Sequence, residues 1–265
     1  MVHLTDSGFA KGTIVVAAGI QPRYYEFQLS LDALGAPVGT KLHIERSCDI
    51  TQNFNNGVKS MTGDWVWFLG DDHSFSPLLL LRLLSHRKDI VVPITPTKTP
   101  PWGPCVLHGP DDGRIWHPEM KLYSWNELSG DGLFKLPMGD FIGQAGMLVQ
   151  KNVLDRIGYP TFKCGRLDPG RLQEDLSFCR EAQQLGYDIW IDQEVIFDHH
   201  APVCITAKKL EGQWVPSIKA GTGSVMLAGI RYSEDQNSPH TMTSRVKWVE
   251  IAPEPEEVQD AQQPV

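Results

Sequence analysis

Acidic and histidine residues that could bind a metal ion or move a proton are concentrated at three points of the 265-residue sequence. These clusters are Gly70-Asp71-Asp72-His73, Glu174-Asp175 and Asp198-His199-His200. Two adjacent carboxylates that follow an apolar strand suit a hard divalent cation that carries a diphosphate. Acidic residues at the start of a helix are also favoured by the helix dipole, and a histidine pair is often a hydrogen-bonded corner. Each cluster taken singly is therefore a weak signal.

The elements that would position these clusters are predicted from the spacing of apolar residues. Short β-branched runs alternate with helical stripes over the first 95 residues. The predicted strands are 13–18, 41–45, 64–69 and 89–94. The predicted helices carry the apolar sets Tyr25, Leu29 and Leu34, then Ile50, Phe54, Val58 and Met61, then the leucines between Ser76 and Arg87. This alternation predicts a parallel, doubly wound sheet, in which ligands bind at the carboxyl ends of the strands.

The second half of the chain is predicted to be less regular. Residues 95–113 are rich in proline and predict a long loop of the kind that often serves a site. The remaining predicted elements are a strand over 141–150, a short helix over 151–157, a helix over 173–185 and a strand over 188–192. The pair Glu174-Asp175 thus opens a helix, as the first turn of a helix favours.

Composition limits the location and the partners of the protein. The longest apolar run, near residues 77–84, is far shorter than the roughly 20 residues that span a bilayer. The N-terminus does not read as a secretory signal, and the five cysteines include no C-x-x-C pair, so we expect a cytoplasmic protein without a membrane segment. A net charge of -8 argues against a broad grip on nucleic acid. Residues 253–265 predict a disordered acidic tail.

The order of the clusters and the segments around them resemble the GT-A fold glycosyltransferases of family 2, over about residues 12–200. TIVVAAGIQPRYYEFQLSLDAL looks like that family's first strand and helix, and NNGVKSMTGDWVWFLGDDHSF resembles the stretch that ends in its D-x-D motif. In that family one segment forms the floor of the acceptor site, and it is similar to FIGQAGMLVQKNVLDRIG. QEDLSFCREAQQLGYDIWID resembles the helix that starts with the catalytic Glu-Asp pair.

The resemblance implies an α/β fold. It predicts a single GT-A, Rossmann-like domain over residues 1–252, with a mostly parallel central sheet and an irregular C-terminal part. Within that domain it implies a nucleotide-binding half at about 12–95, an acceptor half at about 96–205 and a C-terminal extension at 206–252.

The resemblance also assigns roles to individual side chains. The implied metal ligands are Asp72 and His199, the implied catalytic residues are Asp175 as general base and Glu174, and the implied donor contacts are Asp71, Asn55 and Arg46. Neighbouring side chains of a strand point to opposite faces, so only one residue of the pair His199-His200 can join the metal, and the family register favours His199. The chain departs from the family at Gly70, where the first Asp of D-x-D is expected, and at Phe54, where an Arg often precedes the Asn.

The function that the resemblance implies is metal-dependent, inverting transfer of a sugar from a nucleotide-sugar donor, such as a UDP- or GDP-sugar, to an acceptor hydroxyl. A Mn²⁺ or Mg²⁺ ion would neutralise the leaving diphosphate, and a histidine ligand favours Mn²⁺. A carboxylate across the sugar would act as general base. We expect the helix dipole to keep Asp175 ionised at neutral pH.

Other functions stay open at this point. A phage-type glycosyltransferase acting on hydroxymethylated DNA bases would need a basic groove, for which the candidates are Lys163, Arg166, Arg171, Lys208 and Lys209. A non-catalytic module that binds sugar nucleotides would keep the fold without the base. A phosphoesterase is suggested by the D-H-H string at 198–200, although the companion motifs of such enzymes are missing.

Overall fold

Strands and helices alternate along the described part of the chain, which forms sixteen strands, five α-helices and one 3₁₀ helix. The computed structural model describes residues 2–19, 24–47, 49–98, 102–109, 120–163, 173–201, 204–210, 212–220 and 223–226. The helices are α1 (Tyr25–Ala33), α2 (Ile50–Lys59), α3 (Leu79–Ser85), α4 (Lys151–Ile157), α5 (Glu174–Gln184) and the 3₁₀ helix Trp125–Leu128. The strands are β1 (His3–Thr5), β2 (Thr13–Ala18), β3 (Gly35–Pro37), β4 (Lys41–Arg46), β5 (Trp65–Gly70), β6 (His73–Ser74), β7 (Ile90–Ile94), β8 (Val106–Leu107), β9 (Leu133–Lys135), β10 (Phe141–Ile142), β11 (Leu148–Gln150), β12 (Ile189–Ile196), β13 (Asp198–His200), β14 (Cys204–Leu210), β15 (Gln213–Ala220) and β16 (Gly223–Met226).

Seven strands form the central sheet, in the order β4-β2-β5-β11-β7-β12-β9. β2 is parallel to both β4 and β5, and β7 is parallel to β12. Since β11 is antiparallel to both β5 and β7, these two blocks run in the same direction. β9 is antiparallel to β12 at the edge. The predicted α/β fold with a mostly parallel central sheet is confirmed.

A second, antiparallel sheet continues from the carboxyl ends of two central strands. Its order is β16-β15-β14-β13-β6. Two residues separate β5 from β6, and a single residue separates β12 from β13. The first cluster of the sequence therefore lies at the junction of β5 with β6, and the third cluster forms β13 directly after β12.

Helices on both faces of the central sheet explain why β2 is buried on both of its faces. β2 is buried at every position, with Ile14 and Val16 in one hydrophobic cluster and Val15 and Ala17 in the other. α1 and α3 pack on the first side, and α2, α4 and α5 pack on the second. α2 approaches β2 closely at Gly57, where a Cβ atom would lie 2.3 Å from a methyl group of Val15.

The apolar face predicted for α1 is wrong in part. Tyr25 and Leu29 are 72% and 49% exposed, whereas Phe27 and Leu31 are buried together with Leu34. Residues 27, 31 and 34 form an i, i+4, i+7 stripe of their own. The helix carries apolar side chains on two faces, and the stripe that includes the large Phe27 ring is the one that packs on the sheet.

The strand predicted over 141–150 is divided into β10 and β11 by residues 143–147. Gly146 in this turn has a φ of 76°, and a Cβ atom there would lie 2.6 Å from the ring of Pro93. The turn therefore requires glycine. It lets β11 enter the sheet between β5 and β7 in the opposite direction, which places residues 143–146 at the carboxyl ends of those two strands.

Some predictions concern residues outside the described part of the chain. The tail 253–265, residues 227–252 of the predicted C-terminal extension, and Arg166 and Arg171 all belong to this group. Within the described ranges, we find no helix whose length and hydropathy would suit it to crossing a membrane.

Asp192 in β12 is a completely buried carboxylate with cationic side chains around it. Arg82 of α3 donates to its two oxygens over 2.6 and 2.9 Å, and Nε2 of His86 lies 2.7 Å from Oδ2. Burial alone would raise the pKa of Asp192, but the bonds from Arg82 and His86 hold that pKa below its ordinary value. This cluster fixes α3 against the last parallel strand.

We expect Asp192→Asn to lower the free energy of unfolding at pH 7 by about 2 kcal/mol, because the neutral amide loses the charge-assisted bonds that the buried carboxylate makes with Arg82 and His86. A lowered folded pKa stabilises the protein above the unfolded value, about 3.9, and this contribution disappears as the pH falls through the folded value. The difference between the two proteins in urea unfolding should therefore shrink in acid. Asp188→Asn is the control, since Asp188 forms an exposed pair with Lys135 and should change stability by less than about 1 kcal/mol. Equal effects of the two substitutions would contradict this assignment.

Candidate metal centre

The candidate metal centre lies where the chain passes from β5 and β12 of the central sheet into β6 and β13 of the second sheet. Asp72 follows β5 and precedes His73 of β6, while His199 lies in β13. β6 and β13 are antiparallel, and His73 is directly opposite His199. Opposite residues of two paired strands project on the same side, and these two imidazole rings stack with their centroids 4.3 Å apart.

Three side chains of this centre could hold a metal ion, namely Asp72, His73 and His199. One ligand atom from each lies within 4.8 Å of the other two. Oδ1 of Asp72 is 2.8 Å from Nδ1 of His73, and its Oδ2 is 3.7 Å from Nε2 of His199. The ammonium group of Lys98 also contacts Oδ2.

The protonation of the three ligands suits a metal. Burial lowers the pKa of His73 to about 4, so the ring is neutral at neutral pH. Nδ1 of His199 lies 2.8 Å from the carbonyl oxygen of Pro96 and can donate its proton there, which leaves the lone pair of Nε2 on the side of Asp72. Burial by itself would raise the pKa of Asp72, but the nearby side chains of His199, His73 and Lys98 hold that pKa well below its usual range.

His73 provides an independent indication that the residues fit an ion. Its side chain is 5% exposed, and within the described ranges neither ring nitrogen makes a hydrogen bond of good geometry. A buried polar group without a partner is costly, and bound metal is one of the groups that satisfies it. The contact with Asp72 is close but does not have hydrogen-bond geometry, so both nitrogens remain available.

The other two residues of the third cluster do not join the centre. His200 lies on the opposite face of β13, where its Nε2 is 2.9 Å from Oγ of Ser74 and its ring stacks on Tyr24. Asp198 bonds to Ser74 and to the hydroxyl of Thr206. The D-H-H string therefore contributes only its middle residue to the ligand atoms that the structure brings together.

Gly70, the departure from D-x-D, has a steric cause in this centre. A Cβ atom at Gly70 would lie 2.7 Å from Oδ1 of Asp72 and 3.0 Å from Nδ1 of His73. A larger residue would therefore require at least one of these two side chains to shift. The missing carboxylate is thus linked to the close approach of Asp72 and His73.

Two of the predicted donor contacts lie at the carboxyl edge of the parallel strands. Oδ2 of Asp71 accepts a hydrogen bond from the backbone N–H of Gly19 over 3.0 Å, which ties the end of β5 to the end of β2. Arg46 is the last residue of β4, pairs with Ala18 and has an exposed side chain. Their contact with a nucleotide stays a prediction.

Asn55, the third predicted donor contact, lies elsewhere. Its side chain is buried in α2, where the amide donates to the carbonyl of Phe162 over 2.8 Å and accepts from the N–H of Phe162 over 2.9 Å. Both ends of the amide are therefore engaged with the backbone. These bonds give Asn55 a structural role, and its contact with the donor stays a prediction.

Glu174 and Asp175 begin α5, but the ionisation expected for Asp175 is not what the structure indicates. Burial and the negative charge of Glu174 together raise the pKa of Asp175 to about 7. The N–H of Leu176 donates to Oδ1 of Asp175 over 2.8 Å, which favours the charged form, as does the helix N-terminus. Desolvation outweighs both, so the carboxyl group is protonated more readily than that of an ordinary aspartate.

The segment 95–98 after β7 links the metal centre to the surroundings of Asp175. Pro96 and Lys98 contact the metal ligands, and the carbonyl of Thr95 accepts from the N–H of Cys105 over 2.7 Å. Burial raises the pKa of the Cys105 thiol to about 12, and the nearby charge of Asp175 raises it as well. The metal centre and the carboxylate thus belong to the same edge of the sheet.

Sequence reasoning missed three residues of this region. The signal for His73 was its place directly after Asp72, but no role was assigned to it. Lys98 lies in the proline-rich loop and gives no signal of its own. Gln144 lies between Gly143 and Gly146 at the carboxyl ends of β5 and β7, and its buried amide has no hydrogen-bond partner among the described residues.

We expect Mn²⁺, used as a probe ion, to bind the protein in calorimetric titration. Asp72→Ala and His73→Ala should each weaken this binding at least about tenfold, since even partners that only orient a metal ligand are worth that much. His200→Ala is the matched control, because it changes a histidine beside His199 on the other face of the strand and should keep the native affinity. Circular dichroism checks that each variant is folded. Native affinity in folded His73→Ala would remove His73 from the centre.

The comparisons with known proteins give little beyond this geometry. No protein-family model and no curated protein matches the sequence. Among solved structures, the one titled "Crystal Structure of A197 from STIV" is similar with a TM-score of 0.43 and 10% sequence identity. The alignment covers 73% of this chain and 89% of that chain. This likeness is too distant to carry an argument about function.

Proposed function

We propose that the protein is a metal-dependent, inverting glycosyltransferase that moves a sugar from a nucleotide-sugar donor to an acceptor hydroxyl. The observation that carries the proposal is the group Asp72, His73 and His199, which lies beyond the carboxyl ends of β5 and β12. Asp175 acts electrostatically on Cys105, and Cys105 bonds to Thr95 in the segment 95–98 that contacts this group. Ligands of open parallel sheets bind at the carboxyl ends of the strands. The resemblance of the sequence to GT-A glycosyltransferases of family 2 supports the choice of reaction.

Asp72, His73 and His199 would hold the metal ion. When bound, the ion would supply positive charge to the leaving diphosphate. One carboxylate and two imidazoles favour a first-row transition ion over Mg²⁺, so we propose Mn²⁺. Asp71 and Arg46 lie at the ends of β5 and β4 and would contact the donor nucleotide beside it.

Asp175 would act as the general base that takes the proton from the acceptor hydroxyl. A pKa of about 7 makes it a stronger base than an ordinary aspartate and lies close to neutral pH, where a general base works best. Glu174 supports this role, because its own negative charge helps to raise the pKa of Asp175. A single displacement needs no covalent intermediate with the protein and inverts the anomeric configuration.

The alternatives have less support from the described residues. Of the lysines in the basic groove that a DNA-modifying enzyme would need, Lys163 pairs with Glu181 at 2.7 Å and Lys209 pairs with Asp131 at 3.2 Å. Both of these lysines are thus balanced by acidic partners. The D-H-H string that suggests a phosphoesterase contributes only its middle residue, His199, to the group that could hold a metal ion.

Turnover of nucleotide sugars tests the proposal. With Mn²⁺ present, we expect UDP- or GDP-sugars to release the nucleoside diphosphate, EDTA to stop the release, and Asp72→Ala to lower it by at least about a hundredfold, because charge stabilisation of the leaving group is lost. A panel of acceptors that includes hydroxymethylated DNA then identifies the hydroxyl. Nucleotide binding without turnover of any donor would favour the non-catalytic module, and cleavage of a plain phosphodiester would favour the phosphoesterase.

We expect Asp175→Asn to keep the affinity for the nucleotide and to lower turnover by about two to four orders of magnitude, the usual contribution of a positioned base. Because Asp175 must be ionised to accept the proton, native activity should fall as the pH decreases through about 7, and this dependence should vanish in the variant. Glu174→Gln removes a charge that raises the pKa of Asp175 and should move the activity loss to lower pH. An unchanged pH profile in Asp175→Asn, or a product with retained configuration, would contradict the assignment.

A further inference from the structure

Lys98 is the most exposed side chain of the candidate metal centre. The exposed fraction of the side chains increases from 5% for His73 through 17% for His199 and 23% for Asp72 to 41% for Lys98. The three side chains that could hold an ion are therefore more covered than the lysine that contacts one of them. A ligand that enters from solvent and binds an ion on these residues would come close to this lysine.

Lys98 and the ion would use the same carboxylate oxygen. Oδ1 of Asp72 lies close to His73, whereas Oδ2 faces Nε2 of His199 and is in contact with Nζ of Lys98. A divalent ion between the three ligands would repel the ammonium group at short range. The long, flexible lysine stem can then carry its charge outward without a change in the backbone.

With an ion bound, the centre would carry too little positive charge to neutralise a diphosphate by itself. The two imidazoles bind metal as neutral ligands, so a divalent ion on Asp72 keeps a single net positive charge. A nucleoside diphosphate leaving group carries about three negative charges at neutral pH, because the second ionisation of a terminal phosphate lies near pH 6. Gly70 contributes no carboxylate to the centre, so it adds no negative charge. Lys98 adds one positive charge beside Asp72.

We propose that Lys98 is a diphosphate-binding residue, whose ammonium group leaves Asp72 when the ion binds and then pairs with phosphate oxygens of the ligand. This inference rests on the proposed function in taking a diphosphate as the ligand. Lys98 would lower the affinity for the ion alone, because it competes for Asp72. It would raise the affinity for a diphosphate that binds together with the ion.

The test measures two affinities in Lys98→Gln, which removes the positive charge and keeps a polar side chain. Calorimetry with Mn²⁺ alone should show binding about three- to tenfold tighter than in the native protein, since the competing ammonium group is gone. Calorimetry with inorganic pyrophosphate at saturating Mn²⁺ should show binding about tenfold weaker or more, since a charge-assisted contact is lost. Lys98→Arg should keep the pyrophosphate affinity close to native.

Lys135→Gln is the matched control, because Lys135 is also an exposed lysine paired with an aspartate, and it should leave both affinities unchanged. Tighter Mn²⁺ binding with unaltered pyrophosphate binding in Lys98→Gln would show that Lys98 is only a counter-ion of Asp72 and would overturn the proposal. Parallel weakening of both affinities would also overturn it. If native protein binds Mn²⁺ and pyrophosphate as expected but turns over no nucleotide sugar, the proposed function fails while the assignment of Lys98 stands.

Discussion

The antiparallel pairing of β6 with β13 is the contact on which the candidate site depends. It places His73 opposite His199, and the N–H of His200 donates to the carbonyl of Asp72 over 2.7 Å, so the same pairing also fixes the backbone of the carboxylate ligand. Only one or two residues separate these short strands from β12 and β5. The rigid parallel sheet therefore determines the positions of the three side chains with little freedom in between.

The composition of the metal centre follows from a steric limit at its first position. Glycine at 70 allows Asp72 and His73 to approach each other, and the same glycine removes the carboxylate that would otherwise add a negative charge. With one acidic and two neutral ligands, the centre carries less negative charge than a pair of aspartates would give. The contact of Lys98 with Asp72 is consistent with this balance, since a single carboxylate and a single ammonium group neutralise each other.

Asp175 illustrates how two opposing effects on one carboxyl group are resolved. Its place at the start of α5 favours the charged form, through the helix N-terminus and the bond from Leu176. Burial and the charge of Glu174 favour the neutral form, and they raise the pKa to about 7. The first effect follows from the position in the sequence. The second depends on how deeply the folded chain covers the group, as the high pKa of the neighbouring Cys105 also shows.

The sequence by itself determined most strands of the central sheet and the helices that cover it, because that information is local, but not β6, β9 or the strands of the second sheet. The spacing of apolar residues predicted β2, α2, α4 and the alternation that leads to a parallel sheet, and the ends of the strands indicated that Asp72 and His199 could meet. It did not determine which of two apolar faces of α1 is buried, since both have helical spacing. It also gave no sign that a single glycine turn, at Gly146, divides residues 141–150 and inserts β11 in the opposite direction.

Only the tertiary structure decided which side chains contact each other, because those contacts join residues far apart in the chain. Lys98 reaches Asp72 across 26 positions, and Asn55 bonds to the backbone of Phe162 across 107 positions. Hydrophobic spacing carries no information about such pairs. They depend on the order of the strands and on the burial that the packed helices create, which is why the ligand His73, the lysine beside Asp72 and the pKa of Asp175 became visible only in the folded chain.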